Sequence, residues 1–342
     1  MRHHLALGAA AAALLLSGCG PEGPRTVTLL THDSFDVSED VLATFEDEHG
    51  LRVEVVPLGD AGAALNAVAL TADDPGGDVL FGVDSTFLTR ALEADVFLPH
   101  VAADLDAVDP AFLPPDDRVT PVDFGDVCVN YDVAWFAERD LAVPRTLTDL
   151  ADPAYRGLLA VQNPATSSPG LAFLLGTIER LGEEAAFELW ADLRANDVLV
   201  TDGWTDAYYG AFTHAGGGDR PLVVSYASSP PAEVLFAAEP LDVAPTGVLL
   251  ETCHRQVEYA GVLRGAGDVE AARLLVDLLI GPAFQADLPT TMFVFPVRAD
   301  VALPEVFAAH AELPDRPVAM DPARVDAGRE AWISRFDAVV LR

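Results

Sequence analysis

Residues 26–31 read Thr-Val-Thr-Leu-Leu-Thr, residues 32–34 His-Asp-Ser, and residues 37–49 Val-Ser-Glu-Asp-Val-Leu-Ala-Thr-Phe-Glu-Asp-Glu-His, closed by Gly50. The first run is strand-like. The second is a turn-and-cap cluster. The third places Val41, Leu42 and Phe45 on one helical face and stops at a glycine. Leu51 to Leu58 is again a strand, with Val53, Val55 and Pro57 alternating with Arg52, Glu54 and Val56. Gly59-Asp60 opens a helix to about Ala72, with Leu65, Val68 and Ala69 as its apolar face. Asp78 to Val83 is a third strand, followed by an Asp84-Ser85 cap and a helix to Ala94. This alternation predicts an open, largely parallel α/β sheet. Ligands of such sheets sit beyond the carboxyl ends of the strands. The polar turns His32-Asp33-Ser34, Gly59-Asp60 and Asp84-Ser85 stand there.

Towards the C-terminus the pattern breaks and then resumes. Asp95 to Asp117 is rich in Asp and Pro and reads as irregular, and Thr120 to Tyr131 reads as one long extended segment. A second α/β block follows. Its strands are Leu158–Gln162, Val198–Thr201 and Leu222–Ser225, and its helices Pro169–Leu181, Glu183–Asn196 and Trp204–Thr213. Gln256 to Val262 is a strand returning to the first block. Val269–Leu279, Pro282–Asp287 and Pro322–Leu341 are helical. The expected organisation is two α/β lobes, 26–125 with 260–300 and 126–259, with a cleft between them. Strands near 122–130 and 256–262 cross from one lobe to the other. The helical segment 301–342 is left unassigned to either lobe.

Towards the N-terminus, an early Arg2, an apolar core from Leu5 to Leu16 and small residues before Cys19 make an export signal. The core is about a dozen residues, too short to span a bilayer of roughly 30 Å. Leu14-Leu15-Leu16-Ser17-Gly18-Cys19 resembles a bacterial lipobox. That resemblance implies that residues 1–18 are removed, that Cys19 carries lipid, and that 19–25 tether an extracytoplasmic protein to the membrane. An ordinary cleaved signal with an incidental cysteine is the alternative.

The formal net charge is −34, with 54 acidic and 20 basic residues. That charge argues against nucleic acid or an anionic membrane as the partner. Every basic residue is Arg, so P-loop, Schiff-base lysine and Ser-x-x-Lys chemistries are excluded. The scattered histidines, with no His-x-x-x-His pair, point to no metal site. Tyr208 and Tyr209 are adjacent and are expected to point apart on a helix, which argues against an iron site. If Cys19 takes lipid, Cys128 and Cys253 remain, and in an oxidising compartment a disulfide is the expected state. Two buried thiols or a catalytic Cys128 are the other readings.

Five segments in order carry a resemblance: Thr31-His32-Asp33-Ser34-Phe35; Gln162-Asn163-Pro164-Ala165-Thr166-Ser167-Ser168-Pro169-Gly170-Leu171; Thr201-Asp202-Gly203-Trp204-Thr205-Asp206-Ala207-Tyr208; Ser225-Tyr226-Ala227-Ser228-Ser229-Pro230; and Leu288-Pro289-Thr290. With a closing Glu330-Ala331-Trp332-Ile333-Ser334, the chain resembles the thiamine-binding proteins of bacterial thiamine ABC importers over nearly its whole mature length. The resemblance implies a two-lobed α/β fold of the periplasmic-binding-protein kind (type II), no reaction and no cofactor, an ABC permease as partner, and a monomer. It implies thiamine or its phosphates as ligand, with Asp60 as an acidic contact and Ser167 at the hydroxyethyl or phosphate end. Trp204 and Tyr226 would be ring faces. His32, Ala232 and Phe293 stand where the family pattern has Tyr, Tyr and Trp, and Phe293 keeps a π-face.

The chemistry agrees. Thiamine carries a permanent thiazolium charge and a flat aminopyrimidine. A site for it needs ring faces, each contributing roughly 0.5–2 kcal/mol when desolvated, a carboxylate, and a helix N-terminus if phosphate is tolerated. Two other functions remain to be separated from this one. One is a binder of another organic cation, such as a polyamine or a pyrimidine precursor. The other is a thiamine-degrading enzyme using Cys128 with Glu258 or Glu251.

Overall fold

The computed structural model describes residues 24–342, apart from 72 and 115. The expected signal, Cys19 and nearly all of the tether lie outside the described residues. The strands, in chain order, are β1 (Arg25–Thr31), β2 (Leu51–Pro57), β3 (Val79–Asp84), β4 (Phe97–Leu98), β5 (Thr120–Asp132), β6 (Leu159–Gln162), β7 (Leu199–Thr201), β8 (Leu222–Tyr226), β9 (Thr246–Leu263) and β10 (Phe295–Pro296). They form one continuous sheet in the order β2-β1-β3-β9-β5-β8-β6-β7, with β4 added on β9 and β10 on β5.

The alternating opening region folds as its pattern dictates. β1 pairs in parallel with β2 and β3. The helix Glu39–His49 between β1 and β2 buries Phe45 and ends on Gly50, whose φ of 61° is the left-handed stop that glycine permits. The helix Ala61–Leu70 starts from Asp60, which accepts a hydrogen bond from the Ala61 N–H. A second parallel set, β8-β6-β7, stands at the far side. Between the two sets run β5 and β9, antiparallel to each other along most of their length. The first half of β5 and the last third of β9 belong to the β1–β3 side, where β9 pairs with β3. The second half of β5 pairs with β8. The fold is thus two-lobed, with two long strands shared by both lobes and a cleft where they cross.

Register irregularities interrupt the β5–β9 ladder between Pro121 and Asp123 and between Val127 and Val129. Bulges bend and twist a strand, which suits a chain turning from one lobe into the other. At the second irregularity Cys128 and Cys253 are joined, with sulfurs 2.01 Å apart and both residues fully buried beside Ala227. The bond clips the two shared strands together.

The observed β9 spans 18 residues, far longer than the Gln256–Val262 run expected from sequence. The extra length carries Glu251, Thr252, His254 and Arg255, polar residues that hide a strand pattern. Thr252, Cys253 and His254 are nonetheless buried. The helix expected at Trp204–Thr213 is instead a π-helical turn over Asp206–Ala211. The C-terminal helix Pro322–Phe336 lies across both lobes. Arg329 donates to Thr89 Oγ1 (3.0 Å) at the helix Leu88–Glu93, and Arg335 forms a two-pronged pair with Glu184 (2.9 and 2.8 Å) on the helix Glu183–Ala195. Phe336 packs edge-on against Trp190.

Candidate ligand-binding site

The cleft between the lobes holds a cavity of about 400 Å³, bordered by His32, Asp60, Ser168, Trp204, Tyr208, Tyr209, Tyr226, Ala232, Phe236, Glu258 and Phe293. Several stand at the carboxyl ends of strands or in the turns after them. His32 follows β1, Asp60 the turn after β2, Trp204 the turn after β7, and Tyr226 ends β8. Of the six residues singled out from sequence, the fold brings His32, Asp60, Trp204, Tyr226 and Phe293 to this one cavity. Ser167 is not on its wall. It is fully buried and caps the helix Ser168–Leu181, accepting from the Gly170 N–H at 3.4 Å, and the neighbouring Ser168 and Pro169 border the cavity instead.

Asp60 spans the cleft. Its Oδ1 accepts from Ala61 N–H (2.7 Å) and from Ser168 N–H (3.0 Å), and its Oδ2 from Trp204 N–H (2.9 Å). The last two donors belong to the opposite lobe, so the carboxylate holds the cleft shut. Burial pushes the Asp60 pKa up, and those backbone donors pull against it. Two further contacts cross the same gap: Ala63 N–H donates to Thr166 O (3.1 Å) and Ser34 Oγ lies 3.3 Å from Thr205 Oγ1. A methyl group on Gly62 would come within 2.8 Å of Thr166 O, so the approach depends on that glycine.

The walls are aromatic. Trp204 stacks on Tyr208 with ring centres 4.9 Å apart and planes 15° apart, and its indole N–H donates to Ser225 Oγ at 2.9 Å. Tyr208 is buried and donates to Glu233 Oε1 at 2.8 Å, which fixes the stack from behind. Tyr226 lies over Gly125, where any Cβ would meet its ring at 2.8 Å. Phe293 adopts a φ of 55° and meets Phe236 edge-on at 5.6 Å. A bulky residue in the left-handed region is strained, a cost of order 1–3 kcal/mol that clusters at ligand sites.

Tyr208 and Tyr209 do not point apart. Both face the cavity, edge to face with centres 5.3 Å apart. The expectation assumed α-helical spacing, and the π-helical wind over Asp206–Ala211 sets successive side chains closer in angle.

The floor is acidic. Glu258 on β9 is flanked in register by Asp84 on β3 and Asp123 on β5. Asp84 and Asp123 are fully buried and Glu258 is 7% exposed. Burial pushes Asp84 up to about 7. Burial and then the charge of Glu258 push Asp123 well above the usual carboxylate range. His32 stands at the same spot. Burial lowers its pKa, but the charge of Glu258, 3.8 Å from His32 Nε2, outweighs that and leaves it raised. Gly82, with φ of 100°, gives the His32 ring its room, since a Cβ there would lie 2.5 Å from His32 Cδ2.

Sequence reading missed Tyr209, Phe236, Glu258 as a cleft residue, and Ser168 in place of Ser167. Phe236 lies one helical turn beyond Ala232 and is 70% exposed. It stands at the rim beside the position where Ala232 supplies no ring. No cluster of His, Cys, Asp or Glu suited to a metal ion occurs among the described residues.

Comparison with known proteins places this architecture. A family model described as bacterial extracellular solute-binding protein matches residues 74–316. The chain is 31% identical over 335 residues to the thiamine-binding periplasmic protein of Escherichia coli strain K12, covering 96% of this chain and 98% of that one. It is 30% identical over 333 residues to the protein of the same description from Salmonella typhimurium, at 96% and 98% coverage. Among solved structures, a periplasmic thiamin binding protein superposes with a TM-score of 0.81 at 28% identity, over 93% of this chain and 96% of that one. With shared sequence, shared fold and a ligand-sized cleft between lobes, the chain belongs to the bacterial extracellular solute-binding proteins, a family that binds and hands on solutes and catalyses no reaction.

Proposed function

We propose that this protein captures thiamine outside the cytoplasm and delivers it to an ABC permease. The observation that carries the reading is a cavity with stacked rings on its walls and buried carboxylates on its floor. Trp204, Tyr226 and Phe293 offer faces for the aminopyrimidine and thiazolium rings. The thiazolium cation gains from the Glu258 side chain and from ring faces in a site shielded from water. Asp60 and His32 supply the polar edge, and Ser167 orders the turn that presents Ser168. The similarity to thiamine-binding periplasmic proteins supports the same reading. In it, the lobes 26–125 with 260–300 and 126–259 close about β5 and β9, the closed form being the one the permease accepts. The segment 301–342 rests on both.

Isothermal titration of the soluble chain from Gly20 with thiamine, its monophosphate, its diphosphate and spermidine tests this. Submicromolar thiamine binding without turnover is expected. The order of the phosphates reads whether Asp60 yields the Ser168 and Trp204 N–H groups to an anion. Silence toward every thiamine form, with spermidine bound, would assign the site to another organic cation.

The reading includes a lipid anchor on Cys19. Cys19→Ala should abolish incorporation of a labelled fatty acid and shift the protein to the soluble envelope fraction. Unchanged labelling and fractionation would remove the anchor from the account.

A further inference from the structure

Four carboxylates border the cavity; Asp33 and Asp36 are exposed at its rim, Asp60 and Glu258 are buried, and the surroundings of the buried two differ. Asp60 accepts three backbone N–H groups, two of them from the opposite lobe. Its charge is spent on holding the lobes together. Glu258 is poorly partnered. Its only hydrogen bond among the described residues is with Gln256 Nε2, at 3.4 Å, near the outer limit for such a contact.

The histidine beside it is not satisfied either. His32 Nδ1 accepts from the Ser34 N–H at 3.3 Å, which leaves the ring proton on Nε2. That Nε2 lies 3.8 Å from Glu258 Oε2, too far for a hydrogen bond, and has no other partner among the described residues although His32 is only 9% exposed. Beyond Glu258, both Asp123 oxygens and the Gln256 Oε1 are likewise unpartnered and buried. A buried acceptor left unmade costs about 1–3 kcal/mol, more when charged. Of these floor side chains, Glu258 is the one that borders the cavity.

We propose that Glu258, rather than Asp60, is the carboxylate that selects the ligand, taking an N–H donor or positive charge of a flat nitrogen heterocycle held between Trp204, Tyr226 and Phe293. The identity of that heterocycle rests on the thiamine reading above, in which the donor is the exocyclic amine of the aminopyrimidine or the adjoining cation. Asp60 then acts on closure, and its loss affects every ligand alike.

The test is calorimetric titration of the wild type, Glu258→Gln and Asp60→Asn with thiamine, with the analogue whose pyrimidine amine is replaced by an oxo group, and with spermidine. The wild type is expected to favour thiamine over the oxo analogue at least tenfold. Glu258→Gln should bind thiamine at least tenfold more weakly and lose that preference. Asp60→Asn should weaken both analogues by the same factor and keep it. Glu258→Asp keeps the charge one methylene further back. It serves if the Gln variant does not fold, and should weaken thiamine without lowering the melting temperature of the free protein. Retention of the preference in Glu258→Gln, or unchanged affinity in Glu258→Asp, overturns the assignment while leaving the thiamine reading intact. A wild type that ignores thiamine but binds spermidine overturns the thiamine reading and the heterocycle with it, and loss of that binding in Glu258→Gln leaves only the role of Glu258 as the selecting carboxylate standing. Silence of the wild type toward all three overturns both.

Discussion

At the scale of single residues, the turns after parallel strands were the most readable part of the site. His32, Asp60, Trp204 and Tyr226 each follow a β-type run, and strand ends are where an α/β sheet presents ligands. What sequence alone did not reveal is how Asp60 is used. A carboxylate after Gly59 reads as a helix cap, and it is one. That it also reaches two N–H groups more than a hundred residues away is a property of the closed cleft. Glu258 stands out in the sequence only as a carboxylate partner for Cys128, and it is the fold that brings it to the cavity wall instead. Trp204 tests the aromatic wall. It is half-buried, stacked on Tyr208 and tied to Ser225. Trp204→Ala should weaken ligand binding at least tenfold, about 1.4 kcal/mol, with little change in the melting temperature of the free protein. A large loss of stability with unchanged affinity, read by calorimetry and thermal denaturation side by side, would make Trp204 a core residue only.

At the scale of elements, legibility followed periodicity. The helices Glu39–His49, Ser168–Leu181 and Val269–Ile280 all carry apolar residues at helical spacing between clear caps, and sequence placed each within a residue or two. β9 failed the same reading for a physical reason. It is flanked by β5 on one edge and, over its last third, by β3 on the other, so His254, Gln256 and Glu258 are buried without an apolar alternation to announce them. The long shared strands matter for function because they connect the two sheet halves continuously and can bend between them. The Cys128–Cys253 bond holds that connection in register across 125 residues of chain. On the chain-entropy model a link of that span contributes roughly 4–5 kcal/mol. Its burial among Val248, Leu250 and Ala227 also removes Cys128 from any nucleophilic role.

At the scale of the whole molecule, acidic groups outnumber basic ones overall and carboxylates outnumber arginines among the buried charged residues. The net charge of −34 keeps the protein soluble and repels anionic surfaces, while the buried carboxyls set how stability responds to pH. Asp84 isolates that response. Its Oδ1 accepts from Thr86 N–H (3.2 Å), Thr86 Oγ (2.7 Å) and Phe87 N–H (3.2 Å), and its Oδ2 has no partner. Burial raises its pKa to about 7 from 3.8, so the folded state binds the proton more tightly than the unfolded chain. As pH rises from about 4 the unfolded carboxyl ionises while the folded one stays neutral. Stability is lost through that window, at about 1.4 kcal/mol per pH unit, and levels off above 7. Asp60 and Asp123 push in the same direction. His254 opposes them: it is buried beside Arg180 and held down to about 4, so it costs stability only as pH falls below 6.5. Asp84→Asn keeps the Oδ1 acceptor and removes the titration. Between pH 5 and 8 it should gain on the wild type by on the order of 2–3 kcal/mol, read from urea unfolding at each pH. A constant difference between the two proteins across that range would show that Asp84 is already ionised in the folded state, and that the acidic floor carries more charge toward the ligand than its burial implies.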